Sequence, residues 1–314
     1  MSRYLVTGGT GSLGTVITNR LLAEGHHVAV LARGEHAHLN LQKQLDKKTA
    51  GNMSPFIGDV RDKERLHRAF DGVDYVIHAA ALKVVPTCEY NPLDAIKTNI
   101  LGTMNVIDVC LDRKIKKAVF ISTDKACSPC TAYGAQKLAA ERAWLASNKY
   151  CGDRPGIFTA CRYGNVFGSA GSILHTFRTQ AQRGEVNITD ERCTRFHLRL
   201  DDAVTLVLNA LHKLNPGELI VPKLPAYNIM DFAAVIAPKA KVNKIGLRAS
   251  EKIHEAMINE NESPYAIESE TDFILDFRKE ATGRRFDYTS GAPAWKMGRA
   301  DIQKEYDAWK AVNP

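Results

Sequence analysis

The run Ser122-Thr123-Asp124-Lys125-Ala126-Cys127-Ser128-Pro129-Cys130-Thr131-Ala132-Tyr133-Gly134-Ala135-Gln136-Lys137 collects groups suited to moving protons. Tyr133 and Lys137 stand four residues apart at the start of a helix-forming segment, Leu138-Ala139-Ala140-Glu141-Arg142. On a helix, positions i and i+4 share a face, so phenol and ammonium can point at one substrate. A cation beside a tyrosine favours the phenolate. Lys137 is therefore expected to lower the Tyr133 pKa and make it an acid–base group near neutral pH. Thr123 and the Asp124-Lys125 pair reach the same place from the end of a hydrophobic strand, Ala118-Val119-Phe120-Ile121. Chance also produces Tyr-x-x-x-Lys in helices, and Asp-Lys can be a loop ion pair worth little at a surface. The fold around them decides.

That fold opens with a strand, Arg3 to Thr7, which runs into Thr7-Gly8-Gly9-Thr10-Gly11-Ser12-Leu13-Gly14 and a helical Thr15 to Ala23. In strand–turn–helix context, Gly8 permits the tight turn and Gly11 lets backbone N–H groups approach a pyrophosphate. Gly14 lets helix and strand pack closely. The helix N-terminus, with Thr10, Ser12 and Leu13, would face the phosphates of a dinucleotide. A second strand, His27 to Ala32, ends in Arg33. An arginine there suits a 2′-phosphate, and Glu35 could instead reach a ribose, so NADP is expected in preference to NAD. Met53 to Ile57 reads as a third strand. In the following turn, beside Val60, Asp59 either accepts from an adenine amino group or caps the next helix, which runs through Phe70. Asp74 to His78 is a fourth strand, and the small residues Ala79, Ala80 and Ala81 after it permit close approach of a flat cofactor. Asn91 to Leu111 reads as one long helix after breaks at Pro86 and Pro92. Asn99 within it is a buried-polar candidate for bonding the active-site backbone. A sixth strand, Gly156 to Arg162, leads into Tyr163-Gly164-Asn165.

Strand–helix alternation at crossover spacing predicts an α/β, Rossmann-type doubly wound parallel sheet. The dinucleotide-binding core is expected over 1–164, with 201–222, including an amphipathic helix from Asp201 to Leu214, returning to it. A smaller, interleaved mixed α/β substrate-binding part is expected over 165–200 and 223–314, with a ligand cleft at the junction.

At 314 residues the chain can bury a large core. A net charge of +7 raises nucleic acid as a partner. The Lys and Arg residues are dispersed, however, and the balance equally suits an enzyme of polyphosphate ligands, so no nucleic-acid partner is expected. The chain has neither a run of 18 apolar residues nor a secretory pattern before its first strand, so neither a membrane partner nor export is expected and a cytoplasmic location is. The seven cysteines read mostly as buried thiols. Cys127-Ser128-Pro129-Cys130 lacks a second pair or histidines at ligand spacing, so no metal site is expected. Oxidation of that pair gating the active loop is a minor alternative.

Taken together, the glycine loop, the Tyr133/Lys137 pair and Arg162-Tyr163-Gly164-Asn165 resemble the extended short-chain dehydrogenase/reductase family. One branch is similar at His78 to Lys83, Glu89 to Pro92, Lys97 to Ile100, Ser122 to Ala126 and Tyr133 to Ala135. It is similar also at Ile188 to Arg192, Thr194 to Phe196 and Glu251 to Glu255. That branch is the inverting UDP-N-acetylglucosamine 4,6-dehydratases of surface-glycan biosynthesis. Where other sugar-nucleotide dehydratases carry Thr-Asp-Glu, this chain has Thr123-Asp124-Lys125. Departures from the branch are Ala126-Cys127-Ser128-Pro129 for Ala-Ala-Asn-Pro, Arg248-Ala249-Ser250-Glu251 for Arg-Pro-Gly-Glu, and His197 for an aromatic.

The resemblance implies a UDP-sugar substrate, a tightly held dinucleotide that is not consumed, and a homo-oligomer. Tyr133 would take the C4 hydroxyl proton, with Thr123 holding that hydroxyl. Lys125, as a neutral amine of depressed pKa, would take the C5 proton, and a protonated Asp124 would serve the departing C6 hydroxyl. Lys83, Asn165, Arg192, Thr194, Arg195, Arg248 and Glu251 are expected on the substrate, the arginines on its diphosphate. The alternatives are a retaining dehydratase, a C4 epimerase, and a non-catalytic dinucleotide-binding scaffold.

Overall fold

The computed structural model describes residues 1–292 and 296–313. Its first half alternates as the sequence pattern requires: β1 (Arg3–Thr7), β2 (His27–Ala32), β3 (Met53–Ile57), β4 (Tyr75–His78), β5 (Lys117–Ile121) and β6 (Phe158–Cys161), with helices between. These six strands pair in parallel in the order β3-β2-β1-β4-β5-β6. Both faces of such a sheet are covered, which is why the strands read as continuous apolar runs. Leu5, Val6, Val30, Val76, Ile77, Val119 and Phe158 are fully buried. Strand order reverses between β1 and β4, so a crevice opens at the carboxyl ends of those two strands.

Beyond β6 the sheet gains Leu219–Pro222 in parallel, then Asp272–Leu275 and Ala266–Glu268 antiparallel. Residues 266–275, expected in the substrate part, thus form an edge of the main sheet. The helix Leu200–His212 packs on the helix Ser12–Ala23 and on β5 and β6.

A second layer carries the strands Asn165–Val166, Thr194–Leu198 and Ala226–Asn228. The helices Ile173–Ala181, Ile229–Ile236 and Arg299–Val312 enclose its own core of Phe177, Val186, Ile188, Phe232, Ile236 and Ile302.

The single helix expected from Asn91 to Leu111 is instead Pro92–Ile96, a π-helical turn Lys97–Leu101, and Gly102–Asp112. A π-turn inserts one residue into an α-helix without breaking the apolar period on either side, and such turns concentrate at functional sites. Here it carries Asn99. Pro86 does not break a helix but sits in the first turn of Val85–Tyr90, where its missing N–H costs nothing. No helix among the described residues is long and apolar enough to cross a membrane.

Candidate active site

The crevice is a cavity of about 1220 Å³ that runs from the glycine loop to the second layer. Gly8, Thr10, Gly11, Ser12, Leu13 and Gly14 line one end. Gly8 has φ +69°, and a Cβ there would stand 2.9 Å from the Ala80 backbone. A Cβ on Gly14 would lie 2.4 Å from the Gly8 carbonyl oxygen. The helix Ser12–Ala23 begins at Gly11 with no side-chain cap, which leaves its first N–H groups free for an anion. This donor set, with backbone where side chains would stand, fits a dinucleotide pyrophosphate. Arg33, Asp59, Val60, Ala79, Ala80 and Ala81 also line this end.

Asp59 neither caps nor stands free. Its carboxylate accepts from the Arg61 backbone N–H at 2.9 Å and the Arg61 guanidinium at 2.7 Å. The helix Lys63–Ala69 is capped by Asp62, which accepts from Arg65 N–H at 2.9 Å. Asn99 does not line the cavity. It grips the loop after β4, accepting from Leu82 N–H (2.9 Å) and donating to Leu82 O (3.0 Å) and Gln136 Oε1 (3.0 Å). It therefore ties that loop to the helix Ala132–Ala146.

That helix is capped by Thr131, whose hydroxyl accepts from Gly134 N–H at 3.1 Å, and its Ala132 N–H donates to Glu89 at 2.7 Å. Its first turns present Tyr133 and Lys137, both buried, to the cavity. Their electrostatics differ from the expectation. Lys137 donates to Ile121 O at 2.7 Å and sits 3.8 Å over the Phe120 ring, and burial pulls its pKa down to about 7. Burial pushes the Tyr133 phenol up to about 12, and the cation that opposes this is Lys125, helped by a hydrogen bond with Thr123. Lys125 is thus the leading cation acting on the Tyr133 phenol.

Lys125 differs as well. Its ammonium lies 3.1 Å from Asp124 Oδ1 and 3.4 Å from Glu255 Oε1. Burial alone would favour the neutral amine, but the charges of Asp124 and Glu255 outweigh it and hold Lys125 above its ordinary value. The expected depressed amine is therefore a cation at neutral pH. Asp124, buried at the same spot, is raised: burial and the Glu255 charge outweigh Lys125 and the Thr123 hydrogen bond at 2.9 Å. Asp124 Oδ2 has no protein partner.

Lys83, Asn165, Arg195, Arg248 and Glu251 also line the cavity. Glu251 accepts from Thr189 Oγ1 (3.0 Å) and Arg248 N–H (3.2 Å) and pairs with Arg195 (3.3 Å). Two expected substrate residues lie elsewhere. Arg192 is two-thirds exposed and clasped by Asp190 at 2.9 and 2.8 Å. The Thr194 hydroxyl is shared between His254 and Ser290, each at 2.8 Å.

Cys127 is buried 3.5 Å from Glu262 Oε2, and burial raises its thiol to about 12, away from the reactive thiolate. Cys130 is exposed. No cluster of metal-ligating side chains occurs among the described residues. Sequence reasoning missed Glu255. It lies in the Glu251-Lys252-Ile253-His254-Glu255 run, but nothing local shows that it meets Lys125.

Gly134 sets the spacing of the whole group, because a Cβ there would lie 2.3 Å from the Lys125 carbonyl oxygen. Gly134→Ala must push the catalytic loop off the helix. We expect a loss of about 1–3 kcal/mol in unfolding free energy together with a fall in turnover, read by urea denaturation and steady-state assay.

The sequence pattern of the family described as "Polysaccharide biosynthesis protein" matches residues 4–276. The chain belongs to that family. It is an extended short-chain dehydrogenase/reductase of Rossmann-type fold, an enzyme acting on sugar nucleotides. This family member is 44% identical over 278 residues to "UDP-N-acetylglucosamine 4,6-dehydratase (inverting)" of Campylobacter jejuni, covering 86% of this chain and 81% of that one. It is 37% identical to "UDP-glucose 4-epimerase" of Rickettsia rickettsii, covering 82% and 78%. Among solved structures, Pen from Bacillus thuringiensis superposes with a TM-score of 0.92 at 32% identity over 98% of both chains.

Proposed function

We propose that this protein is a C5-inverting UDP-N-acetylglucosamine 4,6-dehydratase that keeps a bound NADP. The observation that carries the reading is the convergence of Thr123, Asp124, Lys125 and Tyr133 in the cavity that begins at the glycine loop. The identity to relatives named for this reaction adds to it. Gly8 to Gly14 would hold the pyrophosphate, and Tyr133 with Lys137 the nicotinamide ribose. Arg33 would hold the 2′-phosphate, since it lines the cavity and the Asp59 carboxylate beside it there is committed to Arg61. Bound dinucleotide supplies a hydride acceptor at C4 and a hydride donor at C6.

The chain's own residues do the rest. Tyr133 takes the C4 hydroxyl proton, with the Thr123 hydroxyl beside it and the Lys125 charge favouring the phenolate. The 4-keto group acidifies C5–H. Lys125, once it has released its own proton, takes the C5 proton while the C6–O bond breaks. Asp124, favoured in its protonated form by burial, gives its proton to that oxygen, which leaves as water. Once C6 is reduced, C5 takes a solvent-derived proton on the face opposite Lys125, which inverts that centre. Arg195, Arg248 and Lys83, which line the cavity, would bind the UDP phosphates.

The test is NMR of purified protein incubated with UDP-N-acetylglucosamine in deuterated water without added cofactor. A 4-keto-6-deoxy product with deuterium at C5 and inverted configuration is expected. Retained C5 would move the protein to the retaining dehydratases. A C4 epimer with no water lost would place it with the epimerases, and no product from a panel of UDP-sugars would leave the scaffold.

A further inference from the structure

Glu255 has no place in the scheme so far, yet it is among the most constrained acids in the cavity. It is about 5% exposed, and its backbone is pinned on both sides by Ser290: Glu255 N–H donates to Ser290 Oγ at 2.9 Å, and Ser290 N–H donates to Glu255 O at 2.8 Å. Ser290 Oγ in turn meets the Thr194 hydroxyl at 2.8 Å, which anchors the group to the second layer. The carboxylate is aimed back across the cavity. It stands 3.4 Å from Lys125 Nζ on the main-sheet side and 3.8 Å from Arg195 Nε of the second layer.

We propose that Glu255 is the positioning residue that sets the charge of Lys125, and with it the pH at which proton transfer at C5 begins. Asp124 is the nearer carboxylate, at 3.1 Å from the ammonium, and shares that oxygen with the Thr123 hydroxyl; Glu255 adds a second carboxylate at 3.4 Å. The groups facing Lys125 are Asp124 and Tyr133 from the main layer, Arg195 and Tyr227 from the second, and Glu255 from the segment before the strand Ala256–Ile258. Those facing Glu255 are Lys125, Arg195 and Lys252. Within this set burial raises Asp124, whereas for Glu255 the three cations outweigh burial and hold the carboxyl below its ordinary value. Glu255 is therefore the lasting counter-charge. It precedes the short strand Ala256–Ile258, which pairs with Tyr288–Thr289, so the electrostatics of the base depend on a segment remote from it in the chain.

The sign follows from the geometry. Removing a carboxylate beside an ammonium lowers the ammonium pKa, so Glu255→Gln should leave Lys125 neutral at lower pH. An opposite charge within 4–6 Å moves a pKa by about 1–3 units. We therefore expect the Lys125 Nζ titration, followed by NMR of [15N]lysine-labelled protein and assigned by its loss in Lys125→Arg, to fall by about 1–3 pH units in Glu255→Gln. Glu255→Asp, with the charge kept but withdrawn by one methylene, should fall in between and supplies the test if Glu255→Gln does not fold. An unmoved Nζ titration in the folded variants would overturn the inference.

The inference rests on Lys125 acting at C5, so the pH dependence of deuterium incorporation at C5 is measured on the same variants. If that dependence moves down with the Nζ titration, both ideas stand. If Nζ moves and C5 exchange does not, the control of charge stands and the assignment of Lys125 as the C5 base fails.

Discussion

Tyr133→Phe should lower kcat by about 10²–10⁴-fold and weaken dinucleotide binding by a much smaller factor, since Lys137 still holds the nicotinamide ribose. The phenol lies on the buried first turn of its helix, hydrogen-bonded to Thr123, so losing one oxygen leaves the packing intact and removes the proton acceptor together with one contact to the ribose. The wild-type phenol stands near 12 in the free protein, which makes its ionised form scarce at neutral pH. A base must be deprotonated to act, so the wild-type rate should climb with pH on the acid side of that value. The variant should lose this dependence along with the rate. Single-turnover rates of the C4 oxidation across pH, beside a fluorescence titration with NADP, check both halves. A variant that turns over at the wild-type rate would remove Tyr133 from the mechanism.

The second large effect is on stability. Arg162 is fully buried and donates to Glu141 at 2.6 and 3.1 Å, to Glu262 at 2.7 and 2.9 Å, and to Met257 O at 2.8 Å. Arg142 closes the group from the surface at 3.0 Å from Glu262. Breaking such a buried set by removing one partner typically costs about 3–5 kcal/mol, because the remaining charge stays buried and uncompensated. Arg162→Met should therefore lower the urea midpoint of unfolding by an amount corresponding to that loss. Burial works against the Glu262 charge, but Arg162 and then Arg142 outweigh it and hold its carboxyl below the usual carboxylate value. A depressed acid contributes stability that is present above its unfolded value, about 4.3, and is lost as pH falls through the folded one. Without Arg162 that support weakens, so the variant should also begin to unfold at a higher pH than the wild type. An unchanged midpoint at neutral pH would show that the cluster is not what holds these segments together.

The parts of this molecule that could be read from the sequence are those whose signal is local. The glycines before the first helix, the apolar runs of β1 to β6, and the four-residue spacing of Tyr133 and Lys137 each state their structure within a few residues. Some local evidence was open to a different weighing: Asp190 two residues before Arg192, and Arg61 two residues after Asp59, claim those side chains. The π-turn at Lys97–Leu101 is hidden because the helical period continues on both sides of it. The charge of Lys125 is legible nowhere near Lys125. Its second carboxylate comes from Glu255, and proximity in the run Thr123-Asp124-Lys125 shows only the first. The short strands Ala266–Glu268 and Asp272–Leu275 gave no pattern strong enough to place them in the main sheet.

Those last strands bear on how the chain comes off the ribosome. The first six strands can assemble as they emerge, but the border of the sheet at Leu219–Pro222 stays bare until Asp272–Leu275 has been synthesised. A bare border is a template for pairing with other chains. Glu262, which completes the counter-charge around Arg162, belongs to the same late stretch. A nascent chain cut short between these points would carry a nearly finished nucleotide fold with an open flank and a half-neutralised interior, the kind of species that recruits chaperones or aggregates.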